Sequence, residues 1–448
     1  MNIDDLDWQL RNYGGVLPRL VDALLGRGEL ELVVRAAQDR ADWFCARAAA
    51  DRLCAAGEPE RAWAVLEPFA RTGWAPAVSA AVTALAAAGR AGEALALAER
   101  CGADGEERDR VRAEALAHAG QLDEALAVLD PHVTKARLLT ALVELTDGRG
   151  RDEAVLARLA QVADAGLYDS WRAHILHAQV LERAGRPEQA IRTLGAVVAA
   201  RRIVPQNTVT AYAELLARHG RLPELRDLVL GGHAYAAQQA YVDALRDAGR
   251  AAEAEAFLRE RLDSASTSAA ARALLVELLL ALHRVDEAIA AAHGTFEDED
   301  LSLLQPVVLE LAELGLHERA LALLTDRSPE FLDRNARWVP SNRQWLLSEL
   351  GRTDEAVADL MATPGLSPAE RAAAHAGLLA AGARFDEAAA LLPACGTRAP
   401  EAARNIAGHL IDHGRAAEAL ALLPDVPSQR AAEQERRPAA TGGGWSKA

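Results

Sequence analysis

Residues 178–194 read AQVLERAGRPEQAIRTL, and nearly every other segment of the chain is a variation on them. Ala178 stands seven residues before Gly185, and the glycine is followed by Arg186, Pro187, Glu188, Ala190 and Leu194. This order predicts one helix ending at a glycine, a tight turn, and a second helix opened by proline and an acid. Glycine reaches positive φ past a helix end, proline suits the next first turn, and an acid there complements the helix dipole.

The turn anchor recurs at Gly57, Gly89, Gly120, Gly150, Gly185, Gly220, Gly249, His283, Gly315, Gly351, Ala383 and Gly414, with a degenerate copy at Gly28. The mean spacing is about 32 residues, a period that marks a solenoid of helix pairs. Five residues past the anchor stands Ala62, Ala94, Ala125, Ala190, Ala254, Ala288, Ala320, Ala356, Ala388 or Ala419, and a leucine follows one turn later in most copies. Small then large at that spacing lets two helices approach closely. Ser367-Pro368-Ala369-Glu370 is a capping box with proline at the first helical position.

Gly-Arg-Thr-Asp-Glu-Ala at 351–356, Gly-Gln-Leu-Asp-Glu-Ala at 120–125 and the alanines seven before the anchors resemble the tetratricopeptide repeat. The likeness covers about residues 28–427. It implies an all-α, right-handed α-solenoid of 12–13 helix-turn-helix units, a superhelix whose inner groove is lined by first helices. Residues 1–27 are expected to form capping helices, and residues 428–448 a disordered tail.

Composition narrows the function. Lys+Arg 49 against Asp+Glu 65 gives a formal charge of −16, and the only lysines are Lys135 and Lys447. An acidic chain without a basic block is a poor match for phosphate backbones, so no nucleic-acid partner is expected. The start, MNIDDLDW, has no basic segment followed by an apolar run, and no stretch reaches the ~20 apolar residues of a membrane span. A cytoplasmic protein with no membrane contact is expected, from a GC-rich bacterial genome by its Ala- and Arg-rich usage. The four cysteines are scattered and read as reduced. Poorly covered apolar residues around Leu420–Val426 leave self-association open.

No catalytic motif is present, and neither a cofactor nor a metal is expected. His174/His177 and His409/His413 have helical spacing without a third ligand. The acidic run 297–300 lacks calcium-loop spacing and reads as a solvated turn. The resemblance assigns groove positions ten and six residues before each anchor: Arg47/Asp51, Arg110/Glu114, Gln179, Glu214 and Gln239/Asp243. The Arg–acid pairs read equally as mutual neutralisation on a solvated face. Arg172 lies in an irregular join. Arg337, Trp338, Arg343 and Trp345 form an aromatic-and-arginine cluster of the kind that dominates interfaces, or else pack an irregular unit. The expected function is a non-catalytic scaffold that binds a protein or peptide on the concave face. The alternative is a sensor module whose groove takes a small molecule or signalling peptide.

Overall fold

A computed structural model describes residues 2–103, 105–164, 170–200, 204–262, 268–296, 301–325 and 327–436. All regular structure among them is helical. The helices alternate in tandem as tetratricopeptide-like pairs, so the fold class read from residues 178–194 is the one observed.

Each turn is built as its sequence requires. All thirteen anchors from Gly28 to Gly414 lie at positive φ, between 58° and 83°, including the two that are not glycine, His283 and Ala383. The residue after the anchor donates its backbone N–H back to a leucine carbonyl: Arg186 to Leu181 (2.9 Å), Arg250 to Leu245 (2.8 Å), Arg415 to Leu410 (2.8 Å). This closes the orphan carbonyls of the preceding helix in a Schellman turn. The ten alanines five past the anchors are fully buried. A larger side chain there would hold the paired helices apart. The expected capping box is present, with the Glu370 N–H donating to Ser367 Oγ (3.3 Å) and the Ser367 N–H to Glu370 Oε2 (3.0 Å).

The chain folds as two compact units, Met1–Gln121 with Gly315–Ala448, and Leu122–Leu314. In the first unit the two ends of the sequence meet. Helices α1 (Ile3–Asn12), α2 (Pro18–Gly26), α3 (Leu30–Arg40) and α4 (Trp43–Ala55) follow one another. Helix α2 packs on helix Ala399–Asp412, and α3 on helix Ala416–Leu422, as successive pairs pack elsewhere. One buried cluster joins Leu20, Val33 and Leu53 to Ile406, Leu410 and Leu420.

Polar contacts reinforce the junction. Arg40 donates to the carbonyls of Leu420 (2.6 Å), Leu423 (2.7 Å) and Pro424 (2.9 Å). The Gly15 N–H donates to the buried Gln429 side chain (2.9 Å), and Arg430 pairs with Asp5 (2.8 Å). Leu420, Leu423 and Val426 are buried by this contact. The uncovered end that motivated self-association is therefore absent. The expected tail boundary at Ser428 falls inside helix Val426–Arg436, because Gln429 is needed by the buried polar groups of Gly15. Residues 437–448 lie outside the described ones.

Candidate binding surfaces

Helix edges carry a ladder of charge that the sequence reading missed. In seven repeats the residue after the anchor is an arginine that binds the glutamate three residues on, and Arg90, Arg221, Arg284, Arg352 and Arg384 also reach back to an acid of the preceding pair. Arg90 holds Glu93 (2.7 Å) and Glu60 (2.8 Å), Arg221 holds Glu224 (2.5 Å) and Glu188 (2.8 Å), and Arg384 holds Glu387 (2.6 Å) and Asp354 (2.9 Å). These hydrogen bonds hold the Glu93, Glu224 and Glu387 carboxyls below the usual range. The signal was legible in the repeated Gly-Arg-x-x-Glu. The ladder neutralises most arginines of the turns and leaves the first-helix faces to supply unpaired groups.

On those faces the positions six and ten before the anchor divide into two kinds. Some are satisfied locally. Arg47 and Asp51 are exposed and pair at 2.9 Å. Arg110 pairs with Glu114, which also accepts from Ser79 Oγ (2.6 Å), and burial pushes the Glu114 carboxyl up. Gln239 donates to Asp243 (2.9 Å), which Arg246 also holds (3.0 Å). Arg172, which is at neither position, lies over the Trp171 ring (5.3 Å) with its Nε buried and without a hydrogen-bond partner. Gln179 is exposed.

Others line depressions. In the first unit a cavity of about 510 Å³ lies among α2 and helices Trp338–Glu349, Pro368–Ala381 and Ala399–Asp412. Trp345 lines it, its indole N–H donating to Glu349 (3.1 Å), while Gly377 lies on the floor with open space where a side chain would be. Arg404 and His409 face it from the next first helix, and burial lowers the His409 pKa. A neighbouring depression of about 390 Å³ takes Arg337, Glu370 and Arg398.

The aromatic-and-arginine cluster thus splits. Arg337 and Trp345 line depressions, Arg343 turns to Asp359 on helix Thr353–Ala362, and Trp338 lines neither cavity. The groove residues missed from sequence follow the same rule as those found. Ten and six before Ala383 are Ala373 and Gly377, and before Gly414 are Arg404 and Gly408; all four line the larger cavity.

In the second unit Glu214 and Asp243 line a depression of about 480 Å³. Further along, helices Ser268–Ala281 and Leu301–Glu313 enclose a trough of about 230 Å³ with Leu280, Pro306 and Leu309 as apolar wall and Glu277, Glu310 and Glu313 on it. Burial first, then Asp243 and Glu310, push the Glu277 carboxyl up. Its place, six before His283, fits the groove rule, which the sequence reading did not carry to this repeat.

The four cysteines are unpaired, and burial raises their thiol pKa values. Among the described residues no three metal-capable side chains converge, and no helix is long and apolar enough to cross a membrane. The acidic run 297–300 lies outside the described residues.

No family profile and no curated protein matches the chain. Its fold is similar to several solved helical-repeat structures. Naa15/Naa10 bound to HypK-THB shows 14% identity over 84% of this chain and 67% of that one, at a TM-score of 0.34. The maize pentatricopeptide repeat protein PPR10, in complex with an 18-nt psaJ RNA element, shows 13% identity over 87% and 70%, at 0.34. Yeast Tom70 shows 12% over 88% and 96%, at 0.32.

Proposed function

We propose that the protein is a non-catalytic cytoplasmic scaffold that binds a protein or peptide partner along its first-helix faces. The observation that carries this reading is the 510 Å³ cavity of the first unit, with an indole on its wall, a floor opened by Gly377 and unlike charges at its edge. An aromatic anchor point in a preformed concavity, rimmed by polar groups, is how a rigid scaffold gains affinity without ordering its own backbone. Acidic net charge disfavours a nucleic-acid ligand for the same faces.

Gly377→Gln supplies the test. The position is helical, without positive φ, and empty space surrounds a Cβ there. The variant fills the groove while leaving the fold intact, and helix stability rises by about 0.5–1 kcal/mol. A partner cross-linked to the wild-type chain in its own cells should be lost from Gly377→Gln and from Trp345→Ala. Capture that persists in both variants removes the reading.

The 390 Å³ depression with Arg337 and Arg398 is of small-ligand size and keeps the sensor alternative in view. Thermal-shift screening separates the two readings: stabilisation by a metabolite supports the sensor, stabilisation by protein extract alone the scaffold.

A further inference from the structure

We infer that the trough between helices Ser268–Ala281 and Leu301–Glu313 is a docking site for a cationic amphipathic segment, one large apolar side chain flanked by lysine or arginine. This deepens the scaffold reading and rests on it.

Size is the first argument. A volume of about 230 Å³ holds one or two side chains and falls short of the ~300 Å³ at which whole small-molecule sites begin. The wall is apolar and open. Pro306 and Leu309 are exposed, Leu309 at 38%, one of few large hydrophobic residues left so uncovered. A peptide side chain seated against them would remove this surface from water.

Charge selects the occupant. Glu277, Glu310 and Glu313 border the apolar wall, and none has an ion-pair partner among the described residues, in contrast to the glutamates of the turn ladder. Asp243 on the preceding first helix also acts on Glu277, though Arg246 pairs with Asp243. The carboxylates do not gather on one point, since no three metal-capable side chains converge among the described residues. They are divided between the two helices, Glu277 on Ser268–Ala281 and Glu310 and Glu313 on Leu301–Glu313, so that separate cationic head groups can meet them. Unbound, they repel one another; an incoming lysine or arginine relieves that repulsion as it pairs. An anionic or phosphate-bearing ligand meets the opposite field.

The test uses the full chain and two synthetic helical peptides, one with leucine and lysine faces, the other with glutamate in place of lysine. Fluorescence anisotropy should show the leucine–lysine peptide binding about tenfold or more tightly than its acidic counterpart, a difference that shrinks with salt. Glu277→Gln with Glu310→Gln should weaken it about tenfold, Leu309→Ser likewise, while Asp39→Asn with Asp164→Asn, equal in charge but elsewhere, should change it less than about twofold. Equal affinity for both peptides, or equal losses in both charge doubles, overturns the inference. Gly377→Gln keeps the outcomes apart: partner capture that depends on Gly377, with a peptide indifferent to Glu277, Glu310 and Leu309, leaves the scaffold standing and sinks the trough.

Discussion

Ala383 holds its backbone at φ 59°, where its twelve counterparts include only one other residue with a Cβ, His283 at 58°. For an L-residue the left-handed region costs about 1–2 kcal/mol, part of which glycine gives back as unfolded-state entropy. Ala383→Gly should therefore stabilise the chain by about 1 kcal/mol, and Gly185→Ala destabilise it by a similar amount. At Gly185 nothing lies within 4 Å of a Cβ, so that loss would be conformational alone. Urea denaturation reads both; an unchanged midpoint in either would contradict the turn argument. Gly15 is different, because at φ 87° an added Cβ would also stand 2.2 Å from Asp42 Oδ2. Gly15→Ala should be the harsher change, by roughly 2–4 kcal/mol. At this scale the sequence was legible: a glycine at a fixed period states its φ. Even the turns at His283 and Ala383 were legible from the period, but the groove residues keyed to them, Glu277 and Gly377, were not assigned, because the period places a residue on a face without saying which faces enclose a depression.

Between helices, the arginine ladder makes a prediction about acid and salt. The carboxyls of Glu93, Glu224, Glu253, Glu287, Glu355, Glu387 and Glu418 all lie below their ordinary 4.5, each held there first by the arginine three residues earlier. A carboxyl lowered in the folded state adds stability that is present above its unfolded pKa and lost as pH falls through the folded one. Melting temperature should accordingly drop as pH falls below about 4.5. It should also fall on moving from low salt to ~1 M salt at neutral pH, since these groups are exposed and screened. Asp42 works the other way: burial raises its pKa from 3.8, so its contribution weakens as pH rises through that region. Burial raises Glu114 and Glu277 likewise, and these three work against the seven of the ladder. A melting temperature flat between pH 5 and pH 3 would mean that the ladder is decoration. From sequence the Arg–Glu spacing looked like a helix start; that five of these arginines also grip the preceding pair depends on stacking, which a period alone does not report.

For the first unit as a body, the meeting of its two ends matters most. Arg40 carries three backbone carbonyls of the last pair. Arg40→Ala leaves them short of a donor and should speed hydrogen exchange in α2 and in helix Ala416–Leu422 together, with helix Gln206–Arg218 unaffected. Faster exchange confined to α3 would show that the junction does not act as one cooperative piece. Nothing in the residues around Leu420–Val426 announced this contact, because its partners stand some 380 positions away and apolar pattern cannot say which distant surface will cover a stripe.

The same junction means that where this polypeptide begins is, for its architecture, nearly arbitrary. With Asp5 and Arg430 in direct contact, a short linker could join the chain at these two residues, and fresh ends could be cut at a corner such as Gly185-Arg186. A circularly permuted gene of that kind should yield the same molecule.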